Sequence, residues 1–175
     1  PKPELSGKLR RLLELVLSSK PEDAFLVFFR FVSSLELVRE ALEERGVRAL
    51  VLRGDMTRAE REEARRRFVG GEGKVLLMTL GIAQGIDITR ANRVVHYEMW
   101  WNPAVMHQAE GRAHRTGQKR EVEVVYLVSR GTVEERVFEL LAEKRGLLEA
   151  TISSVYRFIL QRSEEEVLEF LRLRG

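Results

Sequence analysis

Ala24 to Phe31 reads AFLVFFRF, a nearly unbroken apolar run entered from Pro21-Glu22-Asp23. A strand with one wet face alternates apolar and polar side chains, so a run that does not alternate needs cover on both faces. That requirement commits the chain to a sheet with helices on each side, and the rest of the sequence supplies both. Val47–Leu52, Lys74–Thr79 and Arg93–Tyr97 are further short apolar runs, and Glu121–Val128 alternates before turning apolar, as a strand nearer a sheet edge does. Between the runs lie helical periodicities. Leu9, Leu12, Leu13, Val16 and Leu17 share a face behind a Ser6 cap, Leu35–Glu44 stops at Gly46, and Arg58–Phe68 follows a cap at Asp55 or Thr57. Short strands and helices in alternation predict a mostly parallel sheet with right-handed crossovers, an α/β/α sandwich of three layers. Past the last strand, Thr132 to about Ile152 is amphipathic, with Thr132 and Glu135 at capping-box positions, and Ser163 with its three following glutamates opens a last helix to Arg174. One domain is expected over residues 1–175, with 132–175 a helical C-terminal extension of it.

The 175 residues are 44% hydrophobic, enough apolar material for one core. There is no cysteine, which excludes disulfides and thiolate metal sites and fits a reducing cytoplasm. Apolar stretches are too short to cross a bilayer, and the opening PKPELSGKLRR has no secretory apolar segment, so a cytoplasmic location is expected, or a nuclear one in a eukaryote. Net charge is only +3, yet arginines cluster in 61–67 and 112–120, which fits a polyanion partner. Asn92 and Asn102 are the only asparagines in a chain rich in Glu, Arg and Leu, a bias expected of a thermophile stabilised by charge networks.

The stretch richest in chemistry is Trp100–Gln118, WWNPAVMHQAEGRAHRTGQ. Asn102 is a good N-cap and Pro103 suits the first helical position, so a helix is expected to run toward Gly117. On it Gln108, Arg112 and Arg115 fall at i, i+4 and i+7, one stripe of surface. Two guanidiniums and an amide read phosphates if they face a ligand; if they face water they are an ordinary charged face. Ligands in open α/β sheets bind beyond the carboxyl ends of the strands, which points to Phe29-Arg30-Phe31, Gly54-Asp55-Met56-Thr57 and Thr79–Thr89. In the third loop Gly85 permits a tight turn, and Asp87 offers a carboxylate to a ribose hydroxyl, although Gly-x-Asp is more often only a turn. Thr57 heads a helix whose first amides favour anions, while Arg30 is as well suited to an edge salt bridge as to a phosphate. Adjacent tryptophans, Trp100 and Trp101, plug cores or stack on bases. Gly70–Val75 is not a phosphate-binding Walker loop, because Phe68 and Val75 stand where its first glycine and its hydroxyl residue belong. His96, His107 and His114 have no metal-ligand spacing.

Together these strings resemble the second lobe of superfamily-two helicases, most closely the Swi/Snf-type ATPases. Their motif VI reads QAxDRAHRxGQ after Trp-Asn-Pro; here Trp101-Asn102-Pro103 precedes Gln108-Ala109, Arg112-Ala113-His114-Arg115 and Gly117-Gln118, with Gly111 where the family usually has Asp. TLGIAQGIDIT resembles motif V in a form nearer the DEAD-box helicases. Gly54-Asp55-Met56-Thr57 with Arg61 and Phe68 resembles the segment between motifs IV and V. The resemblance implies a RecA-like α/β fold and a partner, the N-terminal RecA-like lobe of the same protein, which binds ATP and most of the magnesium. It implies Arg115 as arginine finger, Arg112 as its companion and Gln108 as a positioning residue, with Gly85 and Asp87 at the nucleotide. Thr79, Trp101, Gly54, Thr57 and Arg30 are implied at the nucleic acid, which for a chromatin-remodelling or recombination translocase is double-stranded DNA. The fragment alone is expected to be inactive. A DEAD-box-like RNA helicase lobe and a non-catalytic binding module remain the alternatives.

Overall fold

The computed structural model describes residues 6–79, 81, 86–98, 108–109, 111–113, 119–129, 132 and 134, and the backbone of 155–161. In chain order these hold α1 (Gly7–Leu17), β1 (Phe25–Phe29), α2 (Val32–Glu43), β2 (Ala49–Leu52), α3 (Arg58–Val69), β3 (Val75–Thr79), β4 (Arg93–His96), β5 (Glu123–Ser129) and β6 (Val155–Gln161). The strands lie in the order β2-β3-β1-β4-β5-β6, and every neighbouring pair is parallel. This is the expected α/β architecture.

All five residues of β1 are buried, so the uninterrupted apolar run has the two-sided cover it needs. Phe25, Val27 and Phe29 face α1 and α2, meeting Leu12, Val16, Leu35 and Leu42. Leu26 and Phe28 face the opposite layer, where Ala64 and Phe68 of α3 pack with Ile88, Ala109 and Ala113. Phe28, His96 and Tyr126 stand level on β1, β4 and β5, and their rings stack at 5.4 and 4.7 Å. His96 is therefore a core ring.

Local signals explain where the helices start and stop. The Ser6 hydroxyl accepts the Leu9 amide at the head of α1. Thr57 heads α3 in a reciprocal box with Glu60. Gly46, at φ 72°, ends α2 with its amide on Glu43 and the Val47 amide reaching back to Leu42, the pairing that a left-handed residue permits. Gly71 closes α3 in the same way.

At the carboxyl-terminal side one expectation holds and one is corrected. β5 lies nearer the sheet edge than β1 or β4, with β6 beyond it, and its five central residues are buried. Within 132–175, expected to be helical, Val155–Gln161 is a strand, and its sequence VYRFILQ is rich in the β-branched and aromatic residues that strands favour. The expected helix from Ser163 lies outside the described residues.

The amino ends of β1 and β4 are locked by a polar network. The Asn92 side chain accepts the Ala24 amide at 2.9 Å and donates to Asp23 Oδ1 at 2.8 Å. Arg93 lies between Glu123, at 2.7 Å, and Asp23, at 3.4 Å.

Candidate functional site

Because all strands run the same way, their carboxyl ends open on one edge. The registers Phe29↔Thr79, Phe28↔His96 and Leu52↔Met78 bring Arg30, the turn at Gly54, Thr79 and the Tyr97-Glu98 exit of β4 to that edge. Three residues expected at nucleic acid, Arg30, Gly54 and Thr79, are thus gathered by strand order, and Thr57 opens α3 just after Gly54.

Each is held differently. Arg30 is exposed, with its guanidinium 5.2 Å from the Phe31 ring. Gly54 is exposed beside Arg53, whose side chain is bound by Glu36 at 2.6 Å and Asp55 at 3.1 Å. Thr57 gives its amide to Glu60 at 2.7 Å and accepts the Glu60 amide at 3.2 Å, so a carboxylate already sits at this helix start. The Thr57 backbone amide first, and then its side chain, hold the Glu60 carboxyl below its ordinary range. Thr79 is half-buried at the end of β3.

A second group meets on the α3 side of the sheet. Asp87 is exposed; its carboxylate accepts the Thr89 amide at 3.2 Å, and its carbonyl accepts Arg65 Nη1 at 3.4 Å. Next to it, the Ile88 amide donates to the Arg112 carbonyl at 3.0 Å, fastening the loop expected at a nucleotide to the segment that carries Arg112. Arg112 is only 9% exposed, and its Nε donates to the Gln108 carbonyl at 3.2 Å.

The helix expected from Asn102 toward Gly117 is helical at Gln108 and Ala109 and turns at 111–113, where the Arg112 amide bonds the Ala109 carbonyl three residues back. Gln108 is exposed and Arg112 buried, so the two do not share an exposed stripe. The reason is packing: Ala109 and Ala113 both sink completely into the core and take the turn between them down, and Gly111 resists helix least expensively when it leaves it. Arg115, Trp101 and Gly85 lie outside the described residues.

Much of the basic cluster at 61–67 is committed internally. Arg65 pairs with Glu62, Arg66 with Glu63, and Arg67 with Glu72. The guanidiniums of Arg65 and Arg67 are held above their ordinary range, chiefly by the hydrogen bonds they donate to those carboxylates. Arg120 donates to the carbonyls of Glu22 and Arg90, so it also serves the fold.

Sequence reasoning missed the exit of β4. Tyr97 donates its amide to Phe28 at 3.0 Å, accepts Lys8 Nζ on its carbonyl at 3.0 Å, and shares a bond with the Ser6 hydroxyl. Burial, the main influence, pushes its phenol above the ordinary value. Lys8 continues to Glu134, which also receives the Ser129 amide. Glu98 accepts the amides of Arg30 and Phe31 and the Ser34 hydroxyl. No sequence signal marked Glu98: the periodicity from Leu35 stands behind Ser33-Ser34, whereas the helix starts at Val32 behind Phe31, whose side chain makes no cap bond. Among the described residues no three His, Asp or Glu side chains gather as a metal set, and no helix is long and apolar enough to cross a membrane.

The chain is similar to known proteins over most of its length. Residues 7–117 match the family described as the helicase conserved C-terminal domain. The chain is 33% identical over 171 residues to the putative ATP-dependent helicase/translocase YwqA of Bacillus subtilis, covering 96% of this chain and 18% of that protein. It is 34% identical over 155 residues to the DNA repair protein RAD5 of Cryptococcus neoformans, covering 85% of this chain and 13% of RAD5. The chain therefore spans less than a fifth of each of these relatives. Among solved structures, the Sulfolobus solfataricus SWI2/SNF2 ATPase core in complex with dsDNA superimposes with a TM-score of 0.67 at 35% identity, over 85% of this chain and 32% of that one. The C-terminal domain of the DEAD-box protein Dbp5 gives a TM-score of 0.70 over 95% of this chain and 90% of its own, at 22% identity, a likeness of fold alone.

Proposed function

The chain belongs to the helicase conserved C-terminal domain family and is the second, RecA-like ATPase lobe of a SWI2/SNF2-type helicase/translocase, and from that premise we propose that its parent enzyme moves along double-stranded DNA at the expense of ATP. Residues 1–175 constitute one lobe, with 132–175 as its extension. The observation that carries the reading is the bond between the Ile88 amide and the Arg112 carbonyl. It joins the loop expected at the nucleotide to the segment expected to supply arginines, in a lobe whose strand ends present Arg30, Thr57 and Thr79.

The first lobe holds ATP with its magnesium, and this lobe closes on it. Arg115 stabilises the charge of the transferring phosphoryl group, an effect of about 1,000-fold or more in rate. Arg112, buried and fixed on the Gln108 carbonyl, keeps the segment in place, and Gln108, on the exposed side, orients the attacking water. Gly85 and Asp87 meet the ribose side of the nucleotide, where the Asp87 carboxylate accepts a hydrogen bond from a ribose hydroxyl. At the strand ends Arg30, Gly54, Thr57 and Thr79 meet the sugar-phosphate backbone of the duplex, and Trp101 is assigned to the same partner. Contacts to phosphate carry affinity and little sequence information, so binding is salt-sensitive and largely nonspecific. Closure and release of the two lobes around ATP then advance the grip. The isolated lobe does not turn over ATP.

Duplex DNA is favoured by the 35% identity to a core whose structure holds dsDNA. The GIDI string favours RNA. In the full-length enzyme, Arg115→Ala is expected to abolish ATP turnover while DNA binding persists, and normal turnover removes the finger assignment. Stronger stimulation by single-stranded RNA than by duplex DNA overturns the translocase reading.

A further inference from the structure

Glu98 belongs to none of the site residues weighed from the sequence, yet it gathers three donors from one turn. Its Oε2 accepts the backbone amides of Arg30 and Phe31 at 2.8 and 2.9 Å, and its Oε1 accepts the Ser34 hydroxyl. Those donors surround the start of α2, which has no side-chain cap of its own. A carboxylate there satisfies orphan amides and complements the positive end of the helix.

Glu98 is itself well fixed. The preceding residue, Tyr97, is bonded through its amide to Phe28 of β1 and through its carbonyl to Lys8 of α1. The clamp thus ties the turn after β1 to the exit of β4, two strands that are neighbours in the sheet. What it presents outward is Arg30 and Phe31. Phe31 is 52% exposed, a large apolar ring left on the carboxyl edge, and the Arg30 guanidinium stands over it.

We propose that Glu98 is a positioning residue for nucleic-acid binding, holding the β1–α2 turn so that Arg30 meets a backbone phosphate and Phe31 the adjoining sugar or base. The proposal rests on the translocase reading and adds to it the device that orders the grip. A turn fixed before binding loses less conformational freedom when the strand arrives. Glu98 need not touch the nucleic acid.

Two roles for this carboxylate predict opposite signs. As a bare negative charge on the rim it repels phosphates, and removing it tightens binding. As a clamp its removal loosens Arg30 and Phe31 and weakens binding.

The test uses the full-length protein, with direct binding of a labelled DNA duplex and ATP turnover measured side by side. Glu98→Gln is expected to weaken duplex binding about fivefold or more and to lower the salt dependence by about one phosphate contact. The KM for ATP stays where it was, a split that general loss of structure would not give. Ser34→Ala keeps the charge, removes one donor, and is expected to move binding in the same direction by less; it also serves if Glu98→Gln fails to fold. The double variant Arg30→Ala with Glu98→Gln is expected to lose less than the sum of the two single losses, the part beyond Arg30→Ala alone coming from Phe31, because the carboxylate acts through the turn that carries both. Equal or tighter binding by Glu98→Gln overturns the proposal, as does an additive double variant. A wild-type enzyme that binds duplex DNA but is not stimulated by it defeats the translocase reading and leaves the clamp to be judged on binding alone. A wild type that binds no nucleic acid overturns both.

Discussion

Replacing Asn92 by alanine removes the side chain that locks β1 beside β4 at their amino ends. Asn92 is 8% exposed and Asp23 only 5%, so water does little to replace what is lost. The Ala24 amide loses its acceptor, at about 1–3 kcal/mol for a buried unsatisfied group, and Asp23 loses a hydrogen bond of the charged kind, about 1.5–3 kcal/mol. Relaxation and partial access of water at the sheet edge reduce the sum, leaving about 2–5 kcal/mol. With a urea m-value of about 2 kcal/mol/M, the unfolding midpoint is expected to fall by about 1–2.5 M with m unchanged. The pH dependence supplies a second signature. Burial pushes the Asp23 carboxyl up, but the Asn92 amide, the Lys20 backbone and the charges of Arg93 and Lys74 outweigh it and hold the group below its ordinary value. A carboxyl held low adds stability above its unfolded pKa and loses that contribution as the pH falls through its folded value. In Asn92→Ala the burial remains while a counterweight is gone, so the folded pKa rises. The stability gap between wild type and variant is therefore widest near neutrality and narrows as the pH drops below about 4. A midpoint shift under about 0.3 M, or a gap independent of pH, would refute this account of the network.

Two further substitutions probe the scaffold under the carboxyl edge. Phe68→Ala empties a fully buried site on α3 against which Arg90 is also stacked at 4.6 Å, and it is expected to cost about 3–5 kcal/mol in chemical denaturation. A loss below about 1 kcal/mol would mean that α3 is not packed as described. Gly73→Ala puts a Cβ at φ 74° and 3.2 Å from the Arg48 carbonyl, and is expected to lower stability by about 1–3 kcal/mol. An unchanged melting temperature would exclude the strained turn into β3.

What the sequence determined by itself is whatever depends on neighbours within about four residues along the chain. The unbroken apolar run of β1 demanded cover on two faces and has it. Thr57 and Gly46 act through bonds that span three to five residues, so both were legible as helix boundaries. Arg30, Gly54 and Thr79 lie at or just after the ends of strands that all run one way, and parallel alternation alone was enough to send them to a common edge.

Tertiary structure decided everything that needed the order of the strands. Glu98 reaches Arg30 from 68 residues away, and Asn92 reaches Asp23 from 69, because β4 rather than β2 lies beside β1. No local pattern encodes that choice, which belongs to the packing of all the strands at once. Arg112 shows the same division at a single residue: its spacing placed it on a stripe with Gln108, but burying Ala109 and Ala113 drew it inward. Periodicity fixes which residues can share a face, and only the competition for space in the core settles which face is dry.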